Sequence, residues 1–175
     1  PLRLTAPTPP MTKPDFVHLH VHSEYSLLDG ANRISNLVDA CVRDGQKALA
    51  LTDHGNMFGA IELYQKCRAA DITPIIGCEV YIARKSRLEP HNRSDNPYSH
   101  LTLLARTNEG YQNLIKLASK SYLEGYHVRP RIDMELLGQH ATGISCLSGC
   151  LSGEMNQLIR KEKENEAEEL AIKLR

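Results

Sequence analysis

Phe16-Val-His-Leu-His-Val-His22 sets the architecture of this sequence, because its apolar residues alternate with histidines. Alternation of this kind predicts a β-strand, whose successive side chains point to opposite faces of the sheet. His20 and His22 then share one face and can converge on one metal ion, with His18 one step behind them. The turn that follows ends at Gly30 and returns a carboxylate, Asp29, toward the same place.

Four more short apolar runs are typical of buried strands, and amphipathic segments with helical spacing separate most of them. The predicted strands cover residues 47–52, 73–82, 100–105 and 143–147, and the predicted helices cover 34–43, 60–70, 108–123, 133–137 and 152–175. This alternation predicts an α/β fold with mostly parallel strands.

The charge balance of the chain excludes a polybasic nucleic-acid coat. In 175 residues there are 21 Lys and Arg against 21 Asp and Glu, so the formal net charge is zero. Any contact with nucleic acid must therefore use local patches or metal ions. Aromatic residues make up 5% of the chain and Trp is absent, which argues against a base-stacking surface.

Residues 1–15 are rich in Pro and Thr and predict a disordered leader before a domain over 16–175. No apolar run approaches the roughly 18–20 residues of a membrane helix, and no secretory signal opens the chain. The five cysteines are odd in number and scattered, so a disulfide framework is not expected. We therefore expect a cytoplasmic protein, without membrane contact, whose thiols are free or bound to metal.

Nearly every predicted strand carries a metal-ligand side chain at or near one of its ends. The later strands contribute His54, Glu79, His100 and Cys150. In a parallel α/β sheet or barrel such ends gather at one rim, where active sites form. A carboxylate in a buried strand, such as Glu79, is costly unless it is paired or bound to metal. These ligands exceed one tetrahedral site and predict two or three divalent ions, with Zn, Mn or Fe suiting the mixed donors.

Each of these residues also has an ordinary structural explanation when it is taken alone. A His-x-His pair can pack on a strand, and Asp53-His54-Gly55 can be a turn into a helix. Recurrence at the same place in successive units favours the metal site over these explanations. The predicted substrate contacts, each of which can instead be a solvated side chain, are Arg84, Arg129 and Arg131.

The motifs resemble those of the PHP (polymerase and histidinol phosphatase) family. The segments 20–30 and Thr52-Asp-His-Gly-Asn-Met-Phe-Gly59 are similar to its opening motifs, and 74–81 is similar to its third. Segments 100–105, 129–133 and 148–154 resemble the subfamily at the amino terminus of bacterial DNA polymerase III α subunits. The resemblance extends from Phe16 over nearly the whole chain.

This resemblance implies a ligand set and an incomplete fold. The implied metal ligands, which would also be the catalytic residues through their bound metals, are His20, His22, Asp29, His54, Glu79, His100 and Cys150. Glu79 falls where the family bridges two ions. The family fold is a distorted (β/α)7 barrel, and this chain supplies about five strands and no late Asp-x-His pair. We therefore expect weakened metal binding, or none at the incomplete position, and an apolar barrel edge that permits self-association.

The function implied by the resemblance is metal-dependent hydrolysis of phosphodiesters, as a 3′-5′ proofreading exonuclease in DNA replication. Its partners would be a DNA 3′ end, the remainder of the polymerase and the replisome subunits. Two alternatives remain: a catalytically silent, metal-stabilised structural module of the polymerase, or a free-standing PHP phosphomonoesterase. The polymerase-type segments favour a polymerase origin over the free-standing enzyme.

Overall fold

The computed structural model describes residues 16–90 and 98–175, in which five strands form a mixed sheet flanked by helices. The strands are β1 (Ala48–Leu51), β2 (Thr73–Ala83), β3 (Tyr98–Ala105), β4 (Arg131–Ile132) and β5 (Ile144–Leu147). The helices are α1 (Ile34–Asp44), α2 (Ala60–Ala69), α3 (Asn108–Leu123), α4 (Met134–Gln139), α5 (Glu154–Arg160) and α6 (Glu164–Leu174). The predicted α/β class is confirmed, and the incomplete (β/α)7 barrel stays a prediction.

The sheet order is β1-β2-β3-β5, with β4 pairing the second half of β2. β2 is parallel to β1 and β4, but β3 is antiparallel to both β2 and β5. Because β5 is antiparallel to β3, it points the same way as β2, so the prediction of mostly parallel strands holds for four of the five strands and is wrong for β3. The described residues between β2 and β3 contain no helix, and a parallel pairing of consecutive strands needs a crossover, usually a helix.

The prediction of a strand over residues 16–22 is also wrong, although this segment lies beside β1. The amides of Ala50 and Thr52 donate to the carbonyls of His18 and Val21, at 3.0 and 2.8 Å. The amide of Val21, however, donates to the hydroxyl of Thr52 at 3.0 Å instead of to a carbonyl. This hydrogen bond to a side chain interrupts the backbone ladder, but the histidines still lie at the end of β1.

Two apolar clusters hold these elements together. One lies between α1, α2 and β1, with Ile34, Leu63 and Cys67 fully buried. The other lies between the β2–β3 pair and helices α3 and α4. The predicted helix over 152–175 is divided into α5 and α6 by a turn in which Glu162 has a φ of 59°.

Three predictions about the whole chain can be compared with the described residues. All five cysteines lie in the described ranges and are free there. No helix in the ranges 16–90 and 98–175 has the length and apolar character needed to cross a bilayer. The predicted disordered leader lies outside the described residues.

Candidate metal centre

Glu79 lies on β2 at the centre of a cluster of imidazoles, and only 1% of its surface is exposed. Its Oε2 is 2.6 Å from Nε2 of His20 and 2.7 Å from Nε2 of His22. Its Oε1 is 2.6 Å from Nδ1 of His100, which β3 supplies. Burial alone would raise the pKa of Glu79, but hydrogen bonds from these three rings outweigh it and hold the pKa far below its usual range. Glu79 is therefore an anion.

Asp29 extends the cluster on its exposed side. Its Oδ2 is 2.9 Å from Nε2 of His54 and 3.2 Å from Nδ1 of His22. Desolvation opposes ionisation of Asp29, but its hydrogen bonds to His54 and His22 lower its pKa overall. Two carboxylates thus flank His22 and His54 from different sides.

His54 is ready to act as a neutral ligand. Desolvation lowers its pKa in spite of the neighbouring carboxylates, so the uncharged ring that metals need is favoured. Its Nδ1 is buried without a hydrogen-bond partner, 3.7 Å from Oε2 of Glu79. Unpaired buried nitrogens are uncommon in folded proteins, and an atom of this kind beside a carboxylate suits a cation.

Cys150 completes the cluster on the side of His100. Its Sγ lies 3.9 Å from Oε1 of Glu79 and 4.0 Å from Nδ1 of His100. The amide of Ser152 donates to the sulfur at 3.4 Å. The structure therefore brings all seven predicted ligands into one connected cluster.

The donor set fits divalent metal ions. Three overlapping groups have ligand atoms within 4.8 Å of one another: His20, His22 and Glu79; His22, Asp29 and His54; and His54, Glu79 and His100. Nε2 of His20 and Nε2 of His22 are 3.2 Å apart and approach the same carboxylate oxygen. Rings converging in this way on one oxygen, together with the unpaired nitrogen of His54, give cations several places to bind.

Asp53 positions the ligands without belonging to them, a role that the motif alone did not reveal. Its buried carboxylate accepts from the amide and hydroxyl of Ser23 at 2.6 and 2.8 Å, and from the hydroxyl of Ser26 at 2.9 Å. Ser26 in turn accepts from the amide of His54 at 3.0 Å. These bonds fasten the turn that carries Asp29 to the end of β1. The sequence features that could have indicated this role are the two serines in that turn and the Asp that immediately precedes His54.

Glycines permit the close approach of the chain at two places in the site. A Cβ on Gly30 would lie 1.7 Å from the carbonyl oxygen of Ser23, so only glycine fits this turn. Gly55 has a φ of 63°, which L-residues rarely adopt. Its amide donates to the carbonyl of Glu79 at 2.8 Å and so aligns the end of β1 with β2.

The three predicted substrate arginines have different surroundings. Arg129 lies with its guanidinium 5.7 Å from the ring centre of Tyr81, which stacks on His54 at 5.8 Å. Arg84 donates to Gln157 at 2.6 Å and lies 3.6 Å from the carboxylate of Glu154, so it contacts α5.

Arg131 is buried, and its predicted contact with substrate is wrong. It is 3% exposed. Its guanidinium donates to the carbonyls of Gly125, Arg87 and Glu89 at 3.0, 2.8 and 3.0 Å. The length of an arginine side chain lets it reach inward as easily as outward, and here it stabilises the loops around β4.

Comparisons with known proteins found a matching family model and relatives that align over most of the chain. The model of the PHP domain family matches residues 18–175. The chain is 51% identical over 166 residues to DNA polymerase III subunit alpha of Treponema pallidum, an alignment that covers 94% of this chain and 14% of the relative. The same subunit of Thermus aquaticus is 47% identical over 161 residues, covering 90% and 13%. The chain thus spans about one-seventh of the length of these curated relatives.

A solved structure from Bifidobacterium adolescentis, assigned as a metal-dependent phosphoesterase, has a TM-score of 0.46 and 15% sequence identity to this chain. The superposition covers 63% of this chain and 34% of that one.

Proposed function

Because the chain belongs to the PHP family, we propose that it is the PHP domain of a replicative DNA polymerase III α subunit and hydrolyses phosphodiester bonds at a DNA 3′ end. Identity of about half the residues over most of the chain supports the polymerase origin. The observation that carries the hydrolytic proposal is the position of Glu79. Its two oxygens face separate donor groups, with His20 and His22 on one and His100 on the other.

A buried carboxylate with donors on both sides is suited to bridge two cations. The seven clustered residues would hold two or three divalent ions, and imidazole, carboxylate and thiolate together suit Zn, Mn or Fe. When bound, such ions supply Lewis-acid activation of water and phosphate.

The residues of the chain itself prepare the site for this chemistry. Glu79 stays ionised because three imidazoles hydrogen-bond to it. His54 stays neutral because it is desolvated, and Tyr81 covers one face of its ring. Arg129 lies beside that ring pair, where its charge can contact a DNA phosphate.

A 3′-labelled single-stranded DNA tests the proposal directly. With added Mn or Zn, we expect the chain to shorten the DNA from its 3′ end, and we expect Glu79→Gln to abolish this activity. Glu168→Gln, which changes an exposed carboxylate on α6, is the matched control and should degrade DNA normally. Intact DNA in the presence of stoichiometric metal would contradict the proposal.

A silent, metal-stabilised module is the second candidate, because the cluster joins segments far apart in sequence. Its ligands come from the 18–30 segment, the end of β1, β2, β3 and the loop after β5. This candidate is favoured if metal binds, DNA stays intact and His54→Ala changes only the melting temperature. Rapid release of phosphate from histidinol phosphate would favour the free-standing phosphomonoesterase. Contacts with the replisome, a cytoplasmic location and self-association stay predictions.

A further inference from the structure

Five of the nine aromatic residues of the chain line one cavity beside the metal centre. The cavity has a volume of about 270 Å³, and His54 forms part of its wall. Its aromatic lining residues are Tyr25, Phe58, Tyr81, Tyr122 and Tyr126. Aromatic side chains that are scarce in the chain are thus concentrated next to a proposed ligand.

Several of these rings are largely exposed to solvent. Phe58 is 69% exposed and Tyr126 is 60% exposed. Tyr122 and Tyr126 are stacked with their ring centres 6.0 Å apart, and Phe58 meets Tyr25 edge-on at 6.5 Å. Exposed aromatic rings that line one cavity suit the stacking of a flat ring system.

The side chain of Asn56 holds the backbone of Phe58 in position. The side-chain oxygen of Asn56 accepts from the amide of Phe58 at 3.1 Å. The amide nitrogen of Asn56 donates to the carbonyls of Tyr25 and His54, at 3.1 and 3.0 Å. Asn56 therefore links three residues that line the cavity, one of which is His54. Its own hydrogen-bonding groups are used within the protein.

The charge of the lining favours an anion. Arg129 is among the described residues that line the cavity, and no carboxylate is among them. The adjacent Val128 has a φ of 67°, a strained conformation for a β-branched residue. Such strain persists where the surrounding structure enforces it, and it is concentrated at functional sites. Val128 lies in the loop that places Arg129 beside Tyr81.

We propose that this cavity holds the base of the nucleotide whose phosphate lies at the metal centre, and that Arg129 contacts that phosphate. The proposal rests on the proposed function and specifies where its substrate binds. The cavity lies just below the roughly 300–1,000 Å³ of sites for drug-sized ligands, so it suits one base. Because Asn56 is already paired, stacking dominates recognition, and the four bases should bind with similar affinity.

Isothermal titration of the full 175-residue chain with two probes tests this proposal. The probes are dAMP and 2-deoxyribose 5-phosphate, which share a sugar phosphate and differ in the base. With and without Zn, we expect dAMP to bind about tenfold more tightly, because stacking contributes only to its binding. dCMP, dGMP and dTMP should bind within a few-fold of dAMP.

Two variants identify the residues responsible. Phe58→Ala, which changes an exposed ring, should reduce dAMP binding to the level of the sugar phosphate. Tyr64→Ala is the matched control, because Tyr64 is an exposed ring on α2 outside this cavity, and it should leave the preference unchanged. Arg129→Gln should weaken both probes equally.

The outcomes separate this proposal from the proposed function. Equal affinity for the two probes, binding of neither probe, or a preference that survives Phe58→Ala would overturn the base site. A preference for dAMP in a chain that does not degrade DNA would contradict the hydrolytic function and leave the base site supported. Equal degradation of DNA with normal and abasic 3′ nucleotides would contradict only the base site.

Discussion

Two charged networks in this molecule each contain two carboxylates and differ in how those carboxylates are paired. The first is the candidate metal centre, the cluster of histidines, carboxylates and Cys150 around Glu79. The second, which we name the arginine clamp, consists of Arg87, Glu124, Arg131 and Asp133. In the clamp, Arg87 donates to both oxygens of Asp133 at 3.1 Å, and to Glu124 at 2.7 and 2.9 Å. Each carboxylate there faces a fixed cation.

The metal centre has no fixed cation among the ligands that the structure brings together. Two carboxylates are surrounded there by imidazoles and by a thiol. One ring nitrogen of His54 is unpaired, and the rings of His20 and His22 approach the same oxygen of Glu79. The comparison teaches that a closed network stabilises the fold by itself, whereas an open network gains its stability from cations that bind to it.

The largest effect that would sharpen this contrast is the loss of a clamp residue. Arg131→Ala leaves the carbonyls of Gly125, Arg87 and Glu89 without their donor, so we expect the free energy of unfolding to fall by about 3 kcal/mol. Urea denaturation in EDTA measures this, and Arg84→Ala, at a partly exposed ion pair, should cost about 1 kcal/mol or less. A loss below about 1 kcal/mol for Arg131→Ala would show that the clamp is not the closed network described here.

Adding metal should stabilise only the open network. At a metal concentration 100 times the dissociation constant, we expect a gain of about 2.7 kcal/mol for each independent site. Arg131→Ala, if folded, should show the same gain, because the clamp does not bind the ions. Thermal denaturation with and without Zn measures the increment. A gain that disappears in Arg131→Ala would mean that the two networks are one unit.

Asp53 tests whether the metal centre is positioned in advance. Asp53→Asn weakens the bonds that hold Ser23, Ser26 and the amide of His54, and we expect metal affinity to fall about 10- to 100-fold. Asp39→Asn, at an exposed position on α1, is the control. Competition with a chromogenic chelator measures affinity, and unchanged affinity in Asp53→Asn would show that the ligands do not need this support.

The smallest expected effect is on the loss of stability at acidic pH, through the carboxylate of Asp133. Burial would raise the pKa of Asp133, but hydrogen bonds from the amides of Arg87 and Leu136 and from the Arg87 guanidinium lower it overall. Because the pKa is lower in the folded state, this stabilisation is complete above the unfolded value of about 3.9 and is lost as the pH falls below it. Urea denaturation in EDTA between pH 5 and 3 should show a shallower decline for Asp133→Asn. An identical decline would assign the acid sensitivity to other carboxylates.

The sequence predicts the metal centre better than it predicts the sheet. Predicted ligands such as His54, which follows β1, and Glu79, which lies within β2, have shorter side chains than arginine, so their place in the chain largely determines their place in space. The direction of β3 depends instead on the connection before it, which the apolar pattern does not reveal.

Arg131 and the aromatic cavity show the other limits of the sequence. A long arginine can reach a phosphate or a buried carbonyl from the same backbone position, and only packing decides which. A low aromatic content argues against base stacking on average, yet Tyr81, Tyr122 and Phe58 lie in different elements that the fold brings around one cavity.

The number of ions bound per chain tests the central claim most directly. After loading with Zn or Mn and removal of excess metal, elemental analysis should find two or three ions per wild-type chain. Because Glu79 contacts both donor groups, Glu79→Gln should retain at most one ion while its circular dichroism spectrum stays unchanged. One ion or none in the wild-type chain, or a full complement in Glu79→Gln, would contradict a centre bridged by this carboxylate.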